Sequence, residues 1–276
     1  MRRKRSSYIV SALAILFAGV IFVVPFIFIV LTAIKDRQEA SLLQFSLPTT
    51  IHFWENLVAV FSARDFILVR AFANSTILTV GSVAIMVILG AMVGFVLQRR
   101  KSRINGLANF LVLAGLIIPP AVVPTIWVMN ALGIFKTLPG LILVEATFGL
   151  SFTILLIRAF MASVPRELDE AAIIDGAGPI RLFFSVILPL LRPILVTVII
   201  VQCVAVFNNF TYPLYFLPGD ENATVQLTLF NFQSDYETSY NLLFMDILLI
   251  TIPPLIAFIF FSRQIVAGMT SGAVKG

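Results

Sequence analysis

Two residue types on which many catalytic and metal sites depend are almost missing from this sequence. It contains one histidine, His52, and one cysteine, Cys203, so neither a histidine-based metal cluster nor an internal disulfide can form. The phosphate-loop pattern G-x-x-x-x-G-K-S/T is absent as well. We therefore expect no catalytic residue and no bound metal, and any ATP hydrolysis that serves this protein must reside on another chain.

Charged residues are also scarce. They make up 12% of the chain against 59% hydrophobic residues, and the mean hydropathy is +1.02. This composition fits no soluble domain and predicts an all-α polytopic membrane protein. A helix needs about 20 mainly apolar residues to cross a bilayer. About six transmembrane helices are predicted within a single domain, residues 1–276, and they cover residues 8–34, 71–97, 106–130, 139–160, 193–217 and 240–262.

The positions of lysine and arginine predict the orientation. Basic clusters at residues 2–5 and 99–103 mark the cytoplasmic side, because positive residues near short loops are retained there. Both termini are then cytoplasmic. The first apolar run follows a basic start like a signal peptide, but it is far longer than a cleavable one, so we expect it to remain as a span. Only five basic residues fall outside: Lys35, Arg37, Arg64, Arg70 and Lys136.

One segment between the fourth and fifth predicted spans, residues 163–192, is too polar for a bilayer, and we call it the polar loop. Its pattern predicts two short helices joined by a tight turn at Gly176, which can adopt the left-handed conformation. Ser163 is the expected cap of the first helix. The second helix is expected to present one apolar stripe: Ile180, Phe183, Phe184, Ile187, Leu188 and Leu191. Because short helices are marginal alone, the loop predicts a docking surface; a solvated connector is the alternative.

The string EAAIIDGA at residues 170–177, followed by FFSVILPLLRP, resembles the Glu-Ala-Ala loop of importer-type ABC transporter permeases. In that family the loop forms coupling helices that seat in a groove of the cytoplasmic ATPase. The resemblance implies that the polar loop is the coupling loop. It assigns the ATPase contact to Glu170, Ala171, Ala172, Asp175, Gly176 and Ala177.

The C-terminal string VAGMTSGAVKG is similar to the tail of carbohydrate permeases of the maltose type. Other strings, among them IIPPAVVPTIWVMNALGIFKT, resemble the smaller permease subunit of that subfamily. In these proteins the tail, here residues 263–276, can reach between the two ATPase subunits; a frayed terminus is the alternative. The contact candidates are Ser271, Gly272, Ala273, Val274, Lys275 and Gly276.

The resemblance implies a non-catalytic, membrane-spanning subunit of an ATP-driven importer of a sugar or oligosaccharide. Its implied partners are a second related permease, two copies of an ABC ATPase, an extracytoplasmic solute-binding protein and membrane lipid, but no nucleic acid. ATP and Mg would bind to the ATPase, and no cofactor to this chain. The implied location is a prokaryotic inner membrane. An ATPase-independent transporter or channel is the alternative, although six spans leave no room for the usual 10 to 12 helix inverted repeat.

Polar residues inside the predicted spans are candidates for a sugar pathway, since an intramembrane acid costs about 3 kcal/mol on insertion scales and usually faces a cavity or partner. Alternatively, the two acids lie near the outer interface, where water solvates them. Residues 208–210 also depart from the usual pattern of the family, which weakens a transferred role there. The candidates are Asn130, Glu145, Gln202, Asn208, Asn209, Tyr212 and Asp246.

Three prolines of the third predicted span, Pro119, Pro120 and Pro124, free backbone groups and mark either a moving gate or a static kink. Outside the membrane, residues 35–70 and 218–240 either meet an extracytoplasmic partner or are ordinary solvated loops.

Overall fold

A computed structural model describes residues 2–100, 102–233 and 238–271. Within these ranges the chain is helical, and the only β-pairing is an isolated bridge between Gln233 and Thr238. A π-helical segment, Leu182–Ile187, and a 3₁₀ segment, Leu229–Phe232, interrupt the α-helices. The α-helices are α1 (Arg2–Ala33), α2 (Arg37–Ser41), α3 (Phe53–Ser62), α4 (Ile67–Arg99), α5 (Arg103–Ile117), α6 (Val122–Ala131), α7 (Leu138–Met161), α8 (Glu167–Ile174), α9 (Pro179–Arg181), α10 (Leu188–Leu190), α11 (Arg192–Phe207), α12 (Thr211–Phe216), α13 (Val225–Thr228) and α14 (Tyr240–Ser271).

The length and composition of these helices confirm the predicted all-α membrane fold. In the described part of the chain, four helices are long and apolar enough to cross a bilayer: α1, α4, α7 and α14. Two further spans are bent pairs, α5 with α6 at 119° and Pro179–Leu190 with α11 at 73°. Counting each bent pair once gives six spans. The first break spans residues 118–121 and contains two of the three prolines noted above. Proline lacks the N–H that would continue the helix, which explains why the helix ends here.

The chain divides into two compact units. The first unit comprises the described residues up to Arg70 and those of Val225–Ile252. Buried amides hold it together: the Asn56 Nδ2 donates to the carbonyls of Ala33 and Lys35, each at 2.9 Å, and the Asn56 Oδ1 accepts from Asn241 at 2.8 Å. These bonds fix α3 to the end of α1 and to the start of α14.

The second unit comprises the described residues of Ala71–Thr224 and those from Pro253 onward. Its central helix is α7, which contacts α5, α11 and α12. Glycines of α4 let α7 approach closely: a Cβ added at Gly90 would lie 2.5 Å from the Thr153 Cγ2, and one at Gly94 would lie 3.0 Å from the Ile157 Cγ2. Small residues four apart are a common way for membrane helices to pack, and here they seat α4 on α7.

Candidate functional site

The first helix of the polar loop, α8, and the turn after it carry the predicted docking residues, four of which are exposed. Glu170, Ala171 and Asp175 are exposed, as is Gly176, whereas Ala172 is half-buried against the apolar core. Ala177, the last residue of the predicted set, is also half-buried. The structure thus gathers the six residues in one helix and the turn that ends it.

Gly176 has a φ of +82°, which confirms the left-handed turn predicted after α8. The predicted cap is wrong. The α8 helix starts at Glu167, and the Ser163 hydroxyl donates to the carbonyl of Phe160 at 2.7 Å within the turn that closes α7. That local bond occupies the hydroxyl four residues before α8 begins.

The single apolar stripe predicted for the second half of the polar loop is also wrong in part. Phe183, Ile187 and Leu191 are buried, but Ile180 and Phe184 are exposed. Phe184 lies inside the π-helical segment, in which the N–H of Leu188 donates to the carbonyl of Phe183, whereas Ile180 precedes this segment in α9. Since a π-turn adds a residue, side chains spaced for an α-helix no longer share one face.

Four hydrogen bonds and an ion pair attach the polar loop to the last turn of α4. The Arg99 Nε lies 2.6 Å from the Asp169 Oδ2, and the Arg99 Nη2 donates to the Asp169 Oδ1 at 3.2 Å. The same nitrogen donates to the carbonyls of Val164 at 3.1 Å and Pro165 at 3.3 Å. Arg166 donates in return to the carbonyl of Gln98 at 3.3 Å. The side chain of Asp169 is thereby buried although it is acidic.

A second arginine joins three helices at the same end of the unit. The Arg158 Nε, on α7, donates to the Gln98 Oε1 of α4 at 3.3 Å, and its Nη1 donates to the Asn109 Oδ1 of α5 at 2.5 Å. Each arginine thus joins another part of the unit to the end of α4: Arg99 joins the polar loop, and Arg158 joins α7.

Three of the predicted pathway residues meet in the second unit. The Asn209 Nδ2 donates to the buried Glu145 Oε1 at 2.9 Å, and the Asn209 Oδ1 accepts from the backbone N–H of Tyr212 at 3.2 Å. Asn209 therefore connects α7 to the first turn of α12. The ring of Tyr212 packs on Phe148 with centroids 5.1 Å apart.

An open pocket of about 360 Å³ lies beside this cluster, lined by Pro120, Val122, Asn209, Thr211 and Tyr212. Its walls come from two interruptions of the helices: the break between α5 and α6, and the gap between α11 and α12. Interrupted membrane helices commonly build substrate sites, because their free backbone groups can face a cavity.

The other pathway candidates lie elsewhere. Gln202 is buried and donates to the Gly149 carbonyl at 3.0 Å and to the Thr153 Oγ1 at 2.9 Å, so its amide serves helix packing. Asp246 belongs to the first unit, where it accepts from Thr228 at 2.8 Å and is fully buried. Asn130 and Asn208 are exposed. The structure therefore does not place all seven residues in one pocket.

The tail residues assigned to an ATPase contact lie outside the part of the chain whose side chains the structure describes. Residues 272–276 are not among the described residues, and for Ser271 only its place at the end of α14 is described.

Sequence reasoning missed the Arg99–Asp169 pair and the glycine contact. Arg99 was read only as part of a basic cluster, because nothing in its pattern indicates a partner 70 residues further along the chain. The glycines did carry a signal: Gly90 and Gly94 form a G-x-x-x-G motif inside a predicted span.

Comparisons with known proteins assign the fold and the family. A family model described as "Binding-protein-dependent transport system inner membrane component" matches residues 86–270. The diacetylchitobiose uptake system permease protein of Streptomyces coelicolor is 32% identical, over 99% of this chain and 90% of that protein. The melibiose/raffinose/stachyose import permease of Bacillus subtilis is 29% identical, over 99% of each chain.

A solved structure has the same fold. A chain of a bacterial ABC transporter involved in the import of the polysaccharide alginate superposes with a TM-score of 0.82 at 20% sequence identity, over 95% of this chain and 98% of that one. Because the family model matches more than half of the sequence, and because full-length relatives agree with it, the chain belongs to the binding-protein-dependent transport system inner membrane components.

Proposed function

We propose that this chain is a membrane-spanning subunit of an ATP-driven importer of oligosaccharides, supplied with its sugar by an extracytoplasmic binding protein. The observation that carries the proposal is the relationship to sugar permeases over 99% of the chain. The exposed residues of α8 and its turn support it, because Glu170, Ala171, Asp175 and Gly176 leave one side of this short helix open to a partner.

In this proposal the other parts of the importer supply what the chain lacks. A related second permease completes the membrane pore, and two copies of a cytoplasmic ATPase bind ATP and Mg. The polar loop and both termini face the cytoplasm of a prokaryotic cell. Glu170, Ala171, Ala172, Asp175, Gly176 and Ala177 contact the ATPase, and the tail, Ser271 with residues 272–276, reaches toward it.

We further infer that the sugar passes the pocket beside Tyr212. The two ends of the Asn209 side chain already bond to Glu145 and to the backbone of Tyr212. Asn209 therefore shapes the pocket, whereas the Tyr212 hydroxyl and the Thr211 hydroxyl are the polar groups on its wall that suit sugar hydroxyls.

The experiment is to express the chain with its second permease, ATPase and binding protein, and to measure co-purification of the ATPase together with sugar uptake. Glu170→Arg should reverse a charge on the docking surface and remove uptake. Gly176→Val should do the same, since a β-branched residue is strained at a positive φ.

Gly178→Ala is the matched control. Its φ is −69°, and an added Cβ would meet nothing within 4 Å, so uptake should be unchanged. A wild-type chain that never co-purifies with an ATPase, or variants at Glu170 and Gly176 that import sugar normally, would refute the proposal.

A further inference from the structure

The Arg99–Asp169 pair differs from an ordinary surface ion pair in its surroundings. The side chains are 10% and 13% exposed; the Nη2 donates to the Oδ1 at 3.2 Å, and the Nε lies 2.6 Å from the Oδ2 as an ion-pair contact without hydrogen-bond geometry. One hydrogen bond and one close ion-pair contact from the same guanidinium restrict the position of the carboxylate, and partly buried pairs are screened less by water and salt than exposed ones. The pair therefore ties the first turn of α8 to the end of α4.

Asp169 is the one acid of α8 that is buried. Glu167 and Glu170, on either side of it, are exposed. The helix thus has two sides with separate tasks: exposed residues that are free to meet the ATPase, and Asp169 turned to the membrane domain. Asp169 also stands in the first turn of α8, where a negative charge is favoured by the helix dipole.

Arg99 also forms hydrogen bonds with the segment that leads into α8. Its Nη2 donates to two consecutive carbonyls, those of Val164 and Pro165, just before the helix starts. In addition, Arg166 of the polar loop donates to the carbonyl of Gln98 on α4. A pull on α8 consequently reaches α4 through bonds at several points, as well as passing along the chain into α9, α10 and α11.

We propose that Arg99 and Asp169 are positioning residues that transmit the movement of α8 to α4. The inference rests on the proposed function, in which an ATPase moves α8. It adds a second route: α4 follows α8 through the buried ion pair, and α7 follows α4 through the glycine contact at Gly90. Neither Arg99 nor Asp169 contacts the ATPase or the sugar in this scheme.

The first test measures sugar transported per ATP hydrolysed in the reconstituted complex. We expect Arg99→Gln and the nearly isosteric Asp169→Asn each to lower this ratio by about ten-fold, a size typical of coupling between sites. ATPase binding should stay normal. Arg99→Lys keeps the charge but loses the guanidinium that reaches Asp169 and two backbone carbonyls together, so it should fall between Arg99→Gln and wild type. Arg103→Gln, at an exposed arginine four residues on, is the matched control and should leave the ratio unchanged.

The second test needs no ATPase. Spin labels are attached to Leu89→Cys on α4 and Ile174→Cys on α8, both at exposed positions, after Cys203→Ser removes the native thiol. They report the distance between the two helices in the purified chain. Wild type and Arg103→Gln should give one narrow distance distribution. Asp169→Asn should broaden it.

Each result decides a separate question. Folded Arg99→Gln and Asp169→Asn chains with the wild-type distance distribution and the wild-type transport ratio would overturn the positioning role. A wild-type chain that binds no ATPase would overturn the proposed function alone, since the label distances would still support or overturn the attachment of α8 to α4.

Discussion

At the residue scale, a few buried polar groups fix how the helices of this apolar chain are positioned against one another. Asn56 is the clearest case, because one amide bonds to the end of α1 and to the start of α14. In a bilayer, apolar contacts between helices are hardly stronger than contacts with lipid tails. Directional hydrogen bonds therefore decide where one helix stops against another.

His52 introduces a pH dependence outside the membrane. It lies between Thr50, whose Oγ1 is 2.7 Å from its Nε2, and Glu55, which contacts its Nδ1. The hydrogen bond with Glu55 raises the pKa of His52 above its ordinary value, and desolvation opposes this only in part. A raised pKa in the folded state means that the bond stabilises the fold fully below about pH 6.5 and loses its effect as the pH rises through the folded pKa.

We predict that the melting temperature of wild type falls more between about pH 6 and pH 8.5 than that of His52→Gln, because only wild type carries this titration. Thermal unfolding in detergent at both pH values measures it, with Glu55→Gln as a second variant that removes the partner instead. Parallel pH profiles for wild type and both variants would contradict the prediction.

At the element scale, the contact of α4 with α7 depends on the missing side chain of Gly90. Thr153, which an added Cβ would strike, is itself held by the bond from Gln202 at 2.9 Å and cannot turn away without breaking it. We predict that Gly90→Ala destabilises the fold by about 1 to 3 kcal/mol, the usual cost of overpacking. Chemical or thermal unfolding of the purified chain measures the loss.

Two variants make this test specific. Gly106→Ala places a methyl group on α5 where nothing lies within 4 Å, so stability should be unchanged or slightly raised. Thr153→Ser removes the clashing Cγ2 but keeps the hydroxyl for Gln202, and it should restore Gly90→Ala. Equal stability of Gly90→Ala and Gly106→Ala would show that the close approach is unimportant.

The elements also show how far sequence patterns reach. Hydropathy predicted the six spans, and Gly176 predicted the turn after α8, because both follow from local chemistry. The stripe failed at two residues: Phe184 lies within a π-helical segment, which no residue pattern announces, and Ile180 lies before that segment on the short α9. The partner of Arg99 could not be predicted, since any of several acids in the polar loop was available and only the packing selects Asp169.

At the scale of the whole molecule, the orientation in the membrane is the main expectation that remains to be tested. The basic clusters at residues 2–5 and 99–103 predict that the polar loop lies in the cytoplasm and the segment between α1 and α4 outside. Leu47 and Ile174 suit a test because they are 80% and 84% exposed.

We predict that, in a Cys203→Ser background, a membrane-impermeant maleimide labels Leu47→Cys in intact spheroplasts but labels Ile174→Cys only after permeabilisation. The unsubstituted Cys203→Ser chain is the control for background labelling. Reversed labelling would invert the topology and place α8 on the wrong side for a cytoplasmic ATPase.

Finally, α1 packs against the rest of the described protein mainly near its C-terminal end. Most side chains in the most apolar stretch of α1, Leu13–Ala33, are exposed, yet Thr32 and Ala33 at its end and Lys35 just beyond it are buried. Lys35 bonds to the Gln44 carbonyl and to Ser46, both at 2.9 Å. Hydrocarbon accepts any apolar side chain, so most of α1 can drift in sequence over evolutionary time, provided that its length and its tethered end are kept.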